Sequence, residues 1–268
     1  MNILEKIVAQ KRIEVARLPS RALTSDTLME ALRIRGGSRD FLAALRTPRR
    51  GRAALIAEVK KASPSAGVIR PDFDPVRIAQ DYEAAGASCL SVLTDEQFFQ
   101  GSLAYLKSIR EAVRLPLLRK DFIIDERQIL EAVEWGADAI LLIVAILNDA
   151  MLHHLHSLSA AAGLAVLVEV HNADELDRAV AAGARLIGVN NRDLKTFQVN
   201  LAATEELASR LRARGELDGR LLVAESGIHT REDVLRVERA GARAVLVGES
   251  LMRRGEDVSV KIAELFGA

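Results

Sequence analysis

Cysteine is nearly absent. The single one, Cys89, among 268 residues rules out an intrachain disulfide framework and fits a reducing compartment. Its neighbours are apolar, which assigns it to core filling rather than to nucleophilic chemistry. An excess of either charge is missing too. The 37 basic and 37 acidic residues cancel, so neither nucleic acid nor an anionic membrane is expected as a partner, and any bound anion must be met by local groups. Long hydrophobic runs are lacking: the most apolar one, Ala137 to Leu147, falls short of the roughly 20 residues that span a bilayer. The amino-terminal MNILEKIVAQKRIEVA mixes acids with its bases and has no long apolar stretch, unlike a signal peptide, so a cytoplasmic protein is expected. No dinucleotide or metal fingerprint occurs. His153, His154 and His156 cluster, and His153 and His156 could share a helix face. No third ligand lies near in sequence, so neither a metal nor another cofactor is expected.

What is present is a repeat. Four segments run from a helix end through Gly-Ala into a short apolar strand: YEAAGASCLSVLT, VEWGADAILLIVA, VAAGARLIGVN and ERAGARAVLVGE. Gly86, Gly136, Gly183 and Gly241 supply the left-handed residue that ends each helix. Their spacing equals about two βα units of 25–30 residues each, so further strands must lie between them. Ala54–Val59, Pro116–Leu118, Ala165–Val170 and Leu221–Glu225 fill those gaps as continuous apolar runs, the pattern of strands buried on both faces. Amphipathic helices are predicted over Pro75–Ala85, Leu103–Val113, Glu126–Trp135 and Arg231–Arg239. Strict alternation through eight units predicts an α/β fold, a (β/α)8 TIM barrel in preference to an open doubly wound sheet. The whole chain, 1–268, reads as one domain, with residues 1–50 as an N-terminal helical extension over the bottom or rim of the barrel.

Barrel sites lie at the C-terminal strand ends, where alternate residues face inward. Ile56, Glu58 and Lys60 share a face, as do Leu118, Lys120 and Phe122; Leu167, Glu169 and His171; Gly188, Asn190 and Arg192; Val223, Glu225 and Gly227. Each set turns charged or polar at the strand's end. Buried ions cost several kcal/mol unless paired, so a barrel mouth holding Glu58, Lys60, Lys120, Glu169, Asn190, Arg192 and Glu225 calls for a functional explanation beyond an ion-pair cap. By barrel order Glu169 is expected opposite Lys120. The turns after the seventh and eighth strands, ESGI and VGESLM, are the usual phosphate site of such barrels, through the backbone N–H groups of Ser226, Gly227, Gly248 and Glu249. A bulky side chain at Gly248 is expected to crowd that phosphate. The long first loop, KKASPSAGVIRPDFDP, reads as a lid or clamp carrying Lys60, Lys61, Ser63 and Ser65 as anion donors.

The segments IAEVKKASPSAG, LLRKDF, LLIVA, LVEVH, IGVNNRDL, AESGI and VGESLM, in this order and spacing, resemble the indole-3-glycerol phosphate synthase family over roughly residues 1–265. The resemblance implies closure of the indole ring in tryptophan biosynthesis, by a carbon–carbon lyase that releases CO2 and water from a carboxyphenylamino deoxyribulose 5-phosphate. It implies Lys120 as the general acid and Glu169 as the carboxylate that handles the later protons, with Glu58 and Lys60 around the same centre. The division of proton transfers among these four stays open at this point. Asn190, Ser63 and Arg192 would orient substrate, and Phe122 would pack on its aromatic ring. Glu225, Ser226, Gly227, Leu246, Gly248 and Glu249 match the remaining family site positions. His171 departs from the small polar residue often found at its position. Glu249 departs from the Ser of several members, which leaves only its backbone as phosphate donor. A Schiff-base aldolase with Lys120 as nucleophile, phosphoribosylanthranilate isomerase and a non-catalytic phosphosugar-binding subunit are the alternatives. The expected partner is a small phosphorylated substrate, and the expected state a monomer with at most weak dimerisation.

Overall fold

A computed structural model describes residues 2–20, 22–193, 196–252 and 257–267; Leu194, the last residue of IGVNNRDL, lies outside them. Eight parallel strands close into a barrel: β1 Ala54–Val59, β2 Cys89–Leu93, β3 Leu117–Lys120, β4 Ala139–Ile143, β5 Ala165–Val170, β6 Leu186–Asn190, β7 Leu221–Glu225 and β8 Ala244–Val247. Each strand pairs with its sequence neighbours, and β1 with β8 closes the ring through Ala54 to Ala57 against Ala244 to Val247. The open sheet is thereby excluded.

Local chemistry sets the helices around it. Asp74, Ser102, Asp125, Asn148, Asn172 and Thr230 each stand just before a helix and accept a backbone N–H of its first turn. At the other ends the four repeat glycines hold φ between +86° and +121°, where a Cβ would be strained. The helices relevant below are α1 Ile3–Ala16, α2 Ser25–Ile34, α3 Phe41–Arg46, α4 Pro75–Ala84, α5 Glu96–Phe99, α6 Leu103–Ala112, α7 Glu126–Glu134, α8 Asp149–Ala161, α9 Ala173–Ala181, α10 Ala202–Ala213, α11 Arg231–Ala240, α12 Glu249–Met252 and α13 Val258–Phe266. Among the described residues no helix is long and apolar enough to cross a membrane.

The interior has two apolar layers. One lies between strands and helices; the other fills the lower half of the barrel with Ile56, Cys89, Leu118, Leu167 and Val223. Cys89 is fully buried there, and burial pushes its thiol pKa up, as a core residue requires. The helices preceding β1 divide between the two ends. Phe41 and Leu45 of α3 plug the bottom against Ala54 and Cys89, whereas Ile3, Leu4 and Ile7 of α1 border the cleft at the top. Asp138, at the start of β4, fixes the bottom: its carboxylate takes Arg110 Nη1 at 2.6 Å, the backbone N–H of Arg39 at 2.8 Å and that of Leu117 at 3.0 Å.

Candidate active site

The apolar filling stops at one height. Above Leu118, Leu167 and Val223 come Lys120, Glu169 and Glu225, two residues further along the same strands, and the interior becomes ionic. Lys120 Nζ donates to Glu169 Oε2 at 2.8 Å and to Glu225 Oε2 at 2.7 Å. Burial by itself lowers the pKa of this ammonium. Glu169, Glu225 and Glu58 outweigh it and raise the pKa far above that of a free lysine. Glu169 responds in the opposite sense: burial raises its pKa, but Lys120 and His171 hold it well below the ordinary carboxylate range. Glu225 is pushed up to about 7, because burial and the neighbouring Glu169 charge exceed the pull of Lys120. Two carboxylates sharing one lysine thus take different protonation behaviour.

Barrel geometry corrects one expectation. Glu169 is not opposite Lys120: β5 is two strands from β3, and the strand facing β3 across an eight-strand ring is β7, which carries Glu225. Glu225 reaches across because β6 offers Gly188 at this level. A Cβ on Gly188 would lie 2.0 Å from Glu225 Oε1. Gly248 plays the same part for Glu58, whose Oε1 would stand 2.4 Å from a Cβ there. A side chain at Gly248, expected to crowd the phosphate, would also press on Glu58. Glu58 in turn holds Lys60 Nζ at 2.7 Å.

Asn190 joins the ionic group to the turn after β7. Its Nδ2 donates to Glu169 Oε1 at 3.2 Å, and its Oδ1 accepts from Ser226 Oγ at 2.8 Å and from the Arg192 backbone N–H at 3.1 Å. Ser226 has φ +65° and Gly227 φ +81°, a tight left-handed pair. Asn191 holds this turn from below, donating to the carbonyls of Glu225 at 3.0 Å and Ser226 at 3.2 Å. Ser226, Gly227, Leu246, Gly248 and Glu249 border one side of the cleft, and α12 begins at Glu249. Arg192 lies 3.8 Å from Glu249. Across the cleft stand Phe122 and Phe99, ring centroids 6.0 Å apart, with Ser63 and Ser65 of the first loop. That loop folds into a two-residue hairpin, Ala62–Ser63 against Gly67–Val68.

One face assignment does not hold: His171, set on the face of Glu169, is not on the cleft wall, and Lys61 of the first loop does not line it either. Strand alternation ends with β5 at Val170, and His171 turns to Glu175 on α9. The structure also adds residues that strand parity could not reveal. Ile3, Leu4 and Ile7 come from α1, Phe99 from α5, and Asp121 from the end of β3. Ile3, Leu4 and Ile7 recur at helical spacing in the sequence, but that spacing does not say which end of the barrel they cover. Lys11, one turn further along α1, is buried against Asp95 at 3.0 Å and Asp121 at 2.9 Å, beneath the cleft wall.

The family model described as indole-3-glycerol phosphate synthase matches residues 4–265. The chain belongs to that family. An indole-3-glycerol phosphate synthase from Albidiferax ferrireducens is 52% identical over 99% of this chain and 98% of its own length. One from Chromobacterium violaceum is also 52% identical, over 95% and 94%. Among solved structures, a mandelate oxidase variant with benzaldehyde superposes with a TM-score of 0.59 at 19% identity, over 92% of this chain and 95% of that one. That likeness is one of barrel fold alone.

Proposed function

We propose that the chain carries out its family's reaction, converting 1-(2-carboxyphenylamino)-1-deoxyribulose 5-phosphate to indole-3-glycerol phosphate, CO2 and water. The observation that carries the detailed reading is one mostly buried ammonium, Lys120, held between Glu169 and Glu225 at the mouth of the barrel. The ring carbon bearing the carboxylate attacks the ketone, and Lys120 protonates the developing alkoxide. CO2 leaves from that carbon and the ring regains its aromaticity. Glu169, held ionised, then takes a proton from the carbon beside the nitrogen while the hydroxyl departs as water with a second proton. The balance closes without oxidant or reductant: two protons go in, one comes out, and the carboxylate leaves as neutral CO2. Lys60, fixed by Glu58, is the second ammonium beside the reacting carbons. Phe122 and Phe99 give the anthranilate ring an apolar wall. The turns at Ser226–Gly227 and Gly248–Glu249 take the phosphate through backbone N–H groups, with Arg192 and Ser63 orienting the chain between. The protein acts as a monomeric single domain in the cytoplasm.

A Schiff base would need Lys120 as a neutral amine, and two carboxylates within hydrogen-bond distance oppose that form. The test is a single-turnover comparison of CO2 release with indole fluorescence in Glu169→Gln. Gln keeps the size and hydrogen bonding but cannot take a proton, so CO2 should outrun indole. If the two stay locked together at one reduced rate, Glu169 acts at or before ring closure and the assignment is wrong. Borohydride trapping of substrate on Lys120 would instead establish the aldolase-type reading.

A further inference from the structure

Glu169 has a partner that the reaction scheme leaves unused. His171, where β5 gives way to α9, has its Nδ1 2.9 Å from Glu175 Oε2, and the same oxygen accepts the His171 backbone N–H at 2.9 Å. Glu175 is itself held by Asn172, whose Nδ2 donates to Oε1 at 3.0 Å. On its other side the imidazole presents Nε2 to Glu169 Oε1 at 3.4 Å, buried and without a hydrogen bond. A neutral ring with its proton on Nδ1 would point a lone pair at a carboxylate in a place water does not reach. Only the doubly protonated ring puts N–H groups toward both acids.

The surroundings agree. From its own strand His171 faces Glu169, and from α9 it faces Glu175. Beyond Glu169 lie Lys120 of β3 and Asn190 of β6. Arg178 of α9 is committed to Asp149 and to the carbonyls of Val144 and Leu147. The single turn Val144–Ile146, packed on β5 and α9, has no titratable side chain. α8 also packs on β5, but its His156 lies against Gly183 at the far end of α9. Burial lowers the pKa of His171, yet the two carboxylates bring it up to about 10, so the ring is charged at neutral pH.

We infer that His171 is a positioning residue: as an imidazolium wedged between Glu175 and Glu169, it keeps Glu169 ionised and aimed for the proton abstraction that completes the indole. Charges then alternate from the outer helix into the site, through Glu175, His171, Glu169 and Lys120. The inference rests on Glu169 as the base of the later step. A cation this close lowers the pH at which Glu169 protonates, and removing it moves that point upward while leaving the lysines in place.

The experiment is the pH dependence of kcat for indole formation in the intact protein and in His171→Asn, Glu175→Gln and Glu169→Gln. For His171→Asn the acid limb should move up by about one pH unit, with rates down roughly tenfold on the limb and little changed on the plateau. Glu175→Gln should shift it the same way by less. A uniform loss at every pH, or an unmoved limb in both variants, overturns the inference. Should His171→Asn fail to fold, NMR titration of the ring in the unmodified chain decides: a pKa at or below the ordinary 6.5 overturns it, and one well above supports it. If Glu169→Gln keeps the full rate and acid limb, it is the role of Glu169 itself that fails.

Discussion

Lys11 on α1 is a buried ammonium and Lys120 on β3 a mostly buried one, and each is held by two or more carboxylates within 3.0 Å. Around Lys11 both aspartates are also spent on other groups of the protein. Asp121 spends Oδ1 on Lys11 and the Phe122 N–H, and Oδ2 on Thr94 and Arg119. Asp95 caps α5 through the Phe98 N–H as well as pairing with Lys11. Around Lys120 the setting differs: each cluster leaves one buried carboxylate oxygen without a hydrogen bond, Asp95 Oδ2 and Glu225 Oε1, but the Lys120 ammonium borders the cleft, which Lys11 does not. An ion network enclosed by protein holds a shape, whereas one that faces a cavity retains capacity for a substrate. The two lie on consecutive residues, since Asp121 follows Lys120, so the silent network anchors the strand end that presents the reactive one.

Removing the ammonium from each cluster should separate their roles. Lys120→Ala deletes the acid that meets the alkoxide and should lower kcat by about a hundredfold to ten-thousandfold. Its effect on stability should be milder, because Glu225 already titrates near neutrality and can take a proton in place of its lost partner. Steady-state kinetics with urea unfolding of the same variant checks both halves. A variant with normal kcat and only a raised KM would show that Lys120 binds substrate without acting as the acid, and the contrast between the clusters would collapse.

Lys11→Met should do the reverse. It leaves Asp95 and Asp121 buried with one cation fewer, a loss of about 3 kcal/mol, at the low end for a broken buried pair because Arg119 still serves Asp121. Indole formation should fall less than tenfold, chiefly through KM, as Phe99 and Phe122 lose the fixed ends that Asp95 and Asp121 give them. A large fall in kcat with unchanged unfolding would place Lys11 in the chemistry and merge the two clusters.

How much of this contrast was legible in sequence follows from which rule each residue obeys. Strand alternation located Lys120, Glu169 and Glu225, because inward-facing charges on barrel strands can meet solvent and substrate only at the mouth. It failed at His171, one residue past the end of β5, and the ring count misjudged Glu169 against Glu225. The helical repeat with its glycines disclosed the fold, since chain reversal by a left-handed residue is a local event. Nothing local marks Lys11. On α1 it reads as one more exposed base among QKRIEVA, and its burial depends on Asp95 and Asp121, more than eighty positions away. The sequence marks Gly248 for its backbone, but not the steric reason for Gly188 and Gly248, because the atoms that forbid a side chain there belong to Glu225 and Glu58.

The smallest expected effect is also the most discriminating, because it concerns a proton rather than a contact. Glu225 has its pKa raised from 4.5 to about 7 by folding, so the folded chain binds a proton in that window that the unfolded chain has released. Stability from this group is fully present below the unfolded value and is lost as pH rises through the folded one. Glu225→Gln removes the titration while keeping an oxygen for Lys120, so its stability relative to the parent should climb between pH 5 and pH 8. Asp121 is the counterpart in the silent cluster. Burial would raise its pKa, but Arg119 and Lys11 hold it well below the ordinary range, so its contribution is present above the unfolded pKa and lost only in stronger acid. Asp121→Asn should therefore cost the same at pH 5 and pH 8. Urea unfolding at four pH values across that window gives both differences. A flat difference for Glu225→Gln, or a sloping one for Asp121→Asn, would mean that the charge at the mouth is as completely compensated as the charge beneath α1, and that the mouth holds no carboxylate poised to exchange a proton at neutral pH.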